Sequence, residues 1–499
     1  MVDASENPED SRTRRRGFLP WLVAVAFFMQ ALDTTILNTA VPSIARALAV
    51  APLSMKSVLS SYALSLAVFI PVSGWMANRF GTRRVFAGAI GLFALGSLLC
   101  GLARNIHWLV AFRIVQGCGG AMMVPVGRLT LVRSFPKSEL VRAMSFVAIP
   151  GLIGPMLGPV AGGFITAYLH WSVIFFLNVP IGIAGLYLVW RFLPDYRTAR
   201  SPPLDLAGLL LFGCGIALLS YVLEVFGEHR LSALEGASLL ALALLLLTLY
   251  TRHARRSAHP LLRLRLFAVR TFRVAVGGSF FARLAIGGMP FLIPLLYQVG
   301  LGFSPTQSGL LIMPQAVAAI SLKVFTPQIL ARFGYRRVLL GNTVLLGALI
   351  GLFATVGAGT PLWRIVLYAF TYGFLQSMQF TSMNTLVYAD VGAEQASAAS
   401  TIASTAQQLS MSFGVAGASL VTALFVPDRF HTSASEMIHG LHEAFLVLGA
   451  ATVLSSLVFR VLRPQDGSAI SLHRGAALAQ GERGEAALAD VHPPGQPLS

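Results

Sequence analysis

"ANRFGTRRV" at residues 77–85 returns as "LARFGYRRV" at residues 330–338. With Arg79 set against Arg332, the pattern Arg-Phe-Gly-x-Arg-Arg-Val covers seven positions, identical at six, at an offset of 253 residues. One basic turn alone is what any loop beside a membrane collects. Two that agree this closely point to duplicated halves, each with its own short hinge. Gly81 and Gly334 suit a hinge, because glycine reaches positive φ at no steric cost.

Outward from these turns, apolar stretches of about 20 residues recur almost from end to end, each long enough to cross a hydrocarbon core of about 30 Å. About fourteen spans are expected. The first eight are 18–40, 55–77, 85–103, 106–131, 143–168, 171–193, 204–225 and 232–251. The last six are 272–299, 306–331, 337–358, 363–389, 397–425 and 441–462. Composition agrees: the 499 residues are 55% hydrophobic and 11% charged, whereas soluble domains are about a quarter charged. Lipid offers no partner to a backbone amide, so the spans must be helices. The expected fold class is an all-α polytopic membrane protein of about 14 transmembrane helices.

The two turns join spans two and three, and spans ten and eleven. An even number of spans separates them, so they face the same side, as in parallel repeats related by an axis along the membrane normal. Halves of six would place the copies six spans apart rather than eight, so two helices are inserted. The expected organisation is a cytoplasmic tail (1–17), a six-helix half (18–193), an inserted pair (204–251), a basic linker (252–271), a second six-helix half (272–463) and a disordered tail (464–499).

A net charge of +17 would suggest nucleic acid in a soluble protein. Here position explains it. With the N-terminus inside, 27 of the 37 Lys and Arg residues lie on the cytoplasmic side and 6 on the other. This is the positive-inside asymmetry, with both termini cytoplasmic, and it removes the case for a nucleic-acid partner. Cys100, Cys118 and Cys214 all fall in spans, with the spacing of neither a disulfide framework nor a metal site. No phosphate-binding loop pattern is present. No cofactor, no metal and no enzymatic activity are expected.

Four cations lie within spans: Arg113, Arg128, Arg283 and Lys323. Of the 20 acids, Asp33 alone lies deep in one. At 1.5 Å per residue Asp33 is roughly 21 Å from the inner edge, and Arg113, on a span running the other way, roughly 20 Å. The two share a depth. An ionised group there costs at least about 3 kcal/mol on insertion scales, which marks both residues as functional. Loss of water favours the neutral acid and a nearby guanidinium favours the carboxylate, so their balance can load and release a proton. The alternative is a static ion pair that fixes helix packing. On span five, Gly154, Gly158 and Gly162 share one face, which allows close helix approach, and Pro150, Pro155 and Pro159 each remove a backbone donor.

"GWMANRFGTRR" (74–84), "RIVQGCGGAMM" (113–123) and "GPVAGG" (158–163) resemble three signature motifs of the major facilitator superfamily. "LDTTILNTAVPSIA" (32–45) and "WSVIFFLNVPIG" (171–182) resemble its fourteen-spanning drug:proton antiporters of the EmrB/QacA type. "GGAMMVPVGRLT", "LGFSP" and "RFGYRRVL" are similar to the MdtD-like branch. The resemblance covers nearly everything between the tails. It implies a major facilitator fold, proton coupling through Asp33 and Arg113, and alternating access powered by the proton gradient. It also implies gating by Gly74, Asn78, Arg79, Gly81, Arg83, Arg332, Gly334 and Arg336 in the two turns. A seal between the halves is implied at Gly154, Pro155, Gly158, Pro159, Gly162 and Gly163. The family usually has Asp where this chain has Asn78, and the second copy has Ala331; Asn keeps the hydrogen bond but drops the charge.

The expected function is export of small amphiphilic or anionic organic compounds in exchange for protons, by a monomer in a bacterial-type inner membrane whose partners are the solute, protons and lipid. Four intramembrane cations against one acid favour anionic or neutral cargo, with Arg283, Lys323, Gln298, Gln379 and Asn384 as candidate contacts. Rival readings are a facilitator or importer on the same fold, and a membrane receptor or scaffold without transport.

Overall fold

In the computed structural model, residues 8–197, 203–226, 232–321, 325–426 and 433–467 are described. Residues 1–7 and 468–499 of the expected tails lie outside them, as does Lys323. The first half contains α1 (Pro8–Ala47), α2 (Lys56–Phe80), α3 (Thr82–Gly101), α4 (Ile106–Ser134), α5 (Lys137–Tyr168), α6 (Val173–Phe176) and α7 (Asn178–Phe192). Next come α8 (Leu206–Phe226) and α9 (Ala233–Arg256). The second half contains α10 (Arg270–Ile286), α11 (Met289–Leu295), α12 (Pro305–Ser321), α13 (Thr326–Leu352), α14 (Leu362–Leu386), α15 (Ala396–Phe425) and α16 (Ala434–Ser455).

Among the described residues, 12 helices are long and apolar enough to cross a membrane. The other two expected spans are helical as well. The described part of α12 is only 17 residues long, and α14 carries Arg364, Gln376, Gln379 and Asn384, which dilute its hydropathy.

Both repeated turns are backbone breaks. α2 ends at Gly81, with φ 95° and ψ 146°, and α13 is kinked at Gly334, with φ 74° and ψ 160°. Few other residue types adopt such angles. A side chain at Gly81 would also overlap the Asp195 carboxylate. The first turn is pinned by the strand of chain after α7: the Thr82 N–H donates to the Tyr196 carbonyl at 3.1 Å, and the Arg83 N–H to Asp195 at 3.3 Å. The second is held differently, by the Tyr335 hydroxyl donating to Thr385 at 3.0 Å.

Two spans run continuously, as the sequence predicts, but each carries a local break in its helical hydrogen bonding. Between α6 and α7 it falls at Leu177 and between α10 and α11 at Gly287 and Gly288, before Pro290, with all three residues keeping helical angles. Poor helix formers followed by a residue without an N–H donor explain the second break.

The halves meet through their second and fifth helices, α2 against α15 and α12 against α5. Among the described residues, four side-chain hydrogen bonds cross the seam. Gln298 donates to the Thr39 carbonyl, Thr306 to Gly163, Ser412 to Ser60 and Ser419 to Leu53. In each the donor is a side chain of the second half and the acceptor a backbone carbonyl of the first. All four lie toward the end of the bundle opposite Gly81 and Gly334. The pair α8–α9 packs on itself, with α8 against both α2 and α15.

Candidate functional site

Asp33 lies on α1 among buried Leu32, Ile36 and Leu37, and is itself 1% exposed. α4 presents Arg113 and Gln116 three residues apart, hence on one helix face. Asn178 opens α7, just past the break in span six. Packing of α1, α4 and α7 brings these side chains together.

Arg113 Nη1 donates to Asp33 Oδ2 at 2.7 Å and to Gln116 Oε1 at 2.8 Å. The other carboxylate oxygen, Asp33 Oδ1, accepts from Gln116 Nε2 at 2.8 Å and from Asn178 Nδ2 at 3.1 Å. Asn178 Nδ2 also donates to Ser97 Oγ at 3.0 Å, and Ser97 Oγ to the Phe175 carbonyl at 2.8 Å. Thus the Phe175 carbonyl, at the junction of α6 and α7, closes the network. The Arg113 guanidinium lies 4.1 Å from the centre of the Tyr62 ring, where a desolvated cation is attracted to the π face. A carboxylate saturated by three donors, beside a guanidinium that balances its charge, is how a membrane interior tolerates ionised groups. One proton on Asp33 would turn this acceptor into a donor and leave Arg113 uncompensated.

Depth in the sequence pairs Asp33 with Arg113 but does not single out Gln116, Asn178 or Ser97. Amides carry no charge, so nothing flagged them in an apolar run; the i, i+3 spacing of Gln116 from Arg113 was the available signal.

The second half buries a cation too. Arg283 on α10 is 2% exposed. Its Nε donates to Ser279 Oγ at 2.8 Å, its Nη2 to Asn384 Oδ1 at 3.1 Å, and its guanidinium lies 3.6 Å from the centre of the Phe380 ring. Among the described residues no salt bridge involves it. The sequence holds no acid at all between Glu235 and Asp390.

The other candidates are placed as follows. Gln379 is fully buried between α13 and α14, accepting from Asn342 at 2.7 Å and donating to Thr343 at 2.7 Å. Gln298 is part of the seam. Asn78 Oδ1 accepts from Arg133 Nη2 at 2.7 Å, so the amide keeps a cationic partner across α2 and α4. The Arg83 guanidinium faces the Trp190 ring and that of Arg332 the Phe333 ring. Arg83 and Arg336, equivalent in the repeat, each bury an Nε without a hydrogen-bond partner. Gly74 and Arg79 are exposed.

The glycine stripe faces α1 rather than the seam. A side chain at Gly154 would press on Ala31 and Leu32, at Gly158 on Thr35, and at Gly162 on Ile36 and Thr39. α5 is thereby laid tightly along the helix that carries Asp33. The second half is reached by Pro159, whose carbonyl meets Gly309 of α12, and by Gly163, which abuts Pro305. Pro155 lies between, within α5.

The chain matches the Major Facilitator Superfamily over residues 23–415. A protein of Pectobacterium carotovorum that bears the name multidrug resistance protein MdtD is 40% identical over 88% of this chain and 94% of its own. A Klebsiella pneumoniae protein of the same name is 41% identical over 88% and 93%. Among solved structures, a bacterial homolog of the human lysosomal transporter Spinster, in an inward-facing conformation, has a TM-score of 0.63 at 15% identity and covers 90% of this chain and 97% of its own. A D-xylose–proton symporter has a TM-score of 0.61 at 18% identity, covering 90% and 98%. At those identities the likeness is one of fold.

Proposed function

From the premise that the chain belongs to the major facilitator superfamily, we propose that it is a proton-coupled antiporter that exports small amphiphilic or anionic organic compounds. The observation that carries this reading is the buried carboxylate–guanidinium pair where α1, α4 and α7 meet. The relatives' multidrug resistance names supply the direction, export, and the drug-like class of cargo.

In this reading residues 18–193 and 272–463 are the two moving halves, 204–251 an inserted pair of a fourteen-helix bundle, and 252–271 a linker. Both termini face the cytoplasm and the protein works as a monomer in the inner membrane. The end held by the four seam bonds is then the outer one. A proton arriving from outside neutralises Asp33, breaks its charge balance with Arg113 and loosens α7 through Asn178. Release of that proton to the cytoplasm restores the pair. Cargo is recognised in the second half by Arg283, whose neutral partners leave its charge uncompensated, with Asn384 orienting the bound group. Gln298 and Gln379 are committed to the seam and to α13.

Reconstituted in liposomes, the protein should move an organic anion against its gradient when a pH difference is imposed, and Asp33→Asn should abolish that uphill movement. Uphill flux that survives Asp33→Asn at the wild-type rate overturns the assignment.

A further inference from the structure

The stretch "RHARRSAHPLLRLRLFAVRTFR" (252–273) contains seven arginines and no acid. It is not a loose loop. Leu262 and Leu266 are buried, while Arg263 and Arg265 between them are exposed, so leucines anchor this short helical segment and arginines project from it. Asp205, at the start of α8, fastens the same stretch. Its carboxylate accepts from the Gly208 N–H at 2.8 Å and the Leu261 N–H at 3.0 Å, and meets His253 Nε2 at 2.6 Å. Burial opposes ionisation of Asp205, but these bonds outweigh it and hold its carboxyl below the usual range. The Leu262 N–H donates to the Tyr250 hydroxyl at 3.1 Å.

Of the seven arginines, Arg270 pairs with Asp466. Arg252, Arg255, Arg256, Arg263, Arg265 and Arg273 are exposed, and among the described residues none has a salt bridge. An array of like charges held this rigidly attracts anions. Its location says which. α9 is long and apolar enough to cross a membrane, with 17% of its apolar window buried, and Leu242, Leu244, Leu245 and Leu249 stand outward from it. Arg252, Arg255 and Arg256 follow directly, where hydrocarbon gives way to headgroups.

We propose that this linker is a docking platform for anionic phospholipid, with acyl chains along the leucines of α9 and the headgroup phosphate among the arginines. A lipid meets both surfaces; a nucleic acid or an acidic protein would engage the charge and leave the leucines bare. Bound there, the lipid braces α8, which lies against both sides of the α2–α15 seam.

The test uses the full chain purified in detergent and titrated with phosphatidylglycerol, phosphatidylcholine, inorganic phosphate or a short DNA duplex, read by thermal stability and native mass spectrometry. Phosphatidylglycerol should bind and raise Tm, and the other three should not. The variant Arg255→Gln/Arg256→Gln/Arg263→Gln/Arg265→Gln should bind it about tenfold more weakly or worse, and the corresponding Arg→Lys variant should retain binding. If the four-site Gln variant does not fold, Arg263→Gln/Arg265→Gln alone reads the same ratio. Undiminished phosphatidylglycerol binding by the Gln variants, or equal stabilisation by phosphate or DNA, overturns the proposal. None of these arginines belongs to the Asp33 site, so uphill flux can persist or fail independently of this result.

Discussion

Among the described residues each half of the molecule buries one arginine between its first and fourth helices, and the two are treated in opposite ways. Arg113, 1% exposed, faces a carboxylate and an amide. Arg283, 2% exposed, faces an amide, a hydroxyl and a phenyl ring. A duplicated framework has thus diverged into a charge-balanced site, which a proton can unbalance, and a charge-rich site, which an anion can balance. Under the proposed function, this difference divides coupling and recognition between the repeats by changing which side chain meets a buried cation.

The largest expected effect comes from stranding Arg113. Asp33→Ala should cost about 3–5 kcal/mol of stability, the usual penalty for leaving half of a buried pair charged. Adding Arg113→Leu should recover much of it. If chemical denaturation finds the double variant no more stable than the single one, the two residues are not energetically coupled and the contrast between the halves fails.

The second half should behave oppositely. Arg283→Met strands no carboxylate, so stability should hold within about 1 kcal/mol, while affinity for an organic anion falls by tenfold or more, as for a lost hydrogen bond to a charged group. Asn384→Asp sharpens the point by giving Arg283 the partner that Arg113 already has. Anion binding measured by calorimetry should weaken there too, and unchanged affinity would remove Arg283 from recognition.

Asn178→Ala should cost about 1.5 kcal/mol, since it removes a donor from a carboxylate that keeps two others. Hydrogen exchange should then rise at the start of α7. Exchange spread evenly along α7, or none, would mean that Asn178 does not tie Asp33 to the break.

The smallest effect is outside both halves. Asp205→Asn should cost under about 1 kcal/mol at neutral pH. Because the Asp205 carboxyl is held below the usual range, that contribution is complete above about pH 4 and fades as pH falls through the lowered value. Thermal melts of wild type and variant should converge in acid, and a gap that widens instead would put the tether elsewhere.

Asp33 and Arg113 were legible in the chain because a charge within an apolar run is costly wherever the helix ends up. The two glycine turns were legible because a repeat advertises its own alignment. Gln116 and Asn178 were not, since an amide is inexpensive enough to occur in many structural roles and only packing shows which one it fills. The stripe of Gly154, Gly158 and Gly162 was legible as a close-packing face, but its partner was not: small residues state that something approaches, without stating what.

Residue order alone therefore determined a helical membrane protein with a repeated basic turn and one deep carboxylate, because hydropathy, charge position and repetition are properties of the chain. Tertiary structure decided that Asp33 meets Arg113, Gln116 and Asn178 at once, that Arg283 meets Ser279 and Asn384, and that α1 rather than the seam receives Gly154, Gly158 and Gly162. Those outcomes depend on how far helices rotate and slide against one another, to within an ångström or two, and that freedom is settled only when all of them pack together.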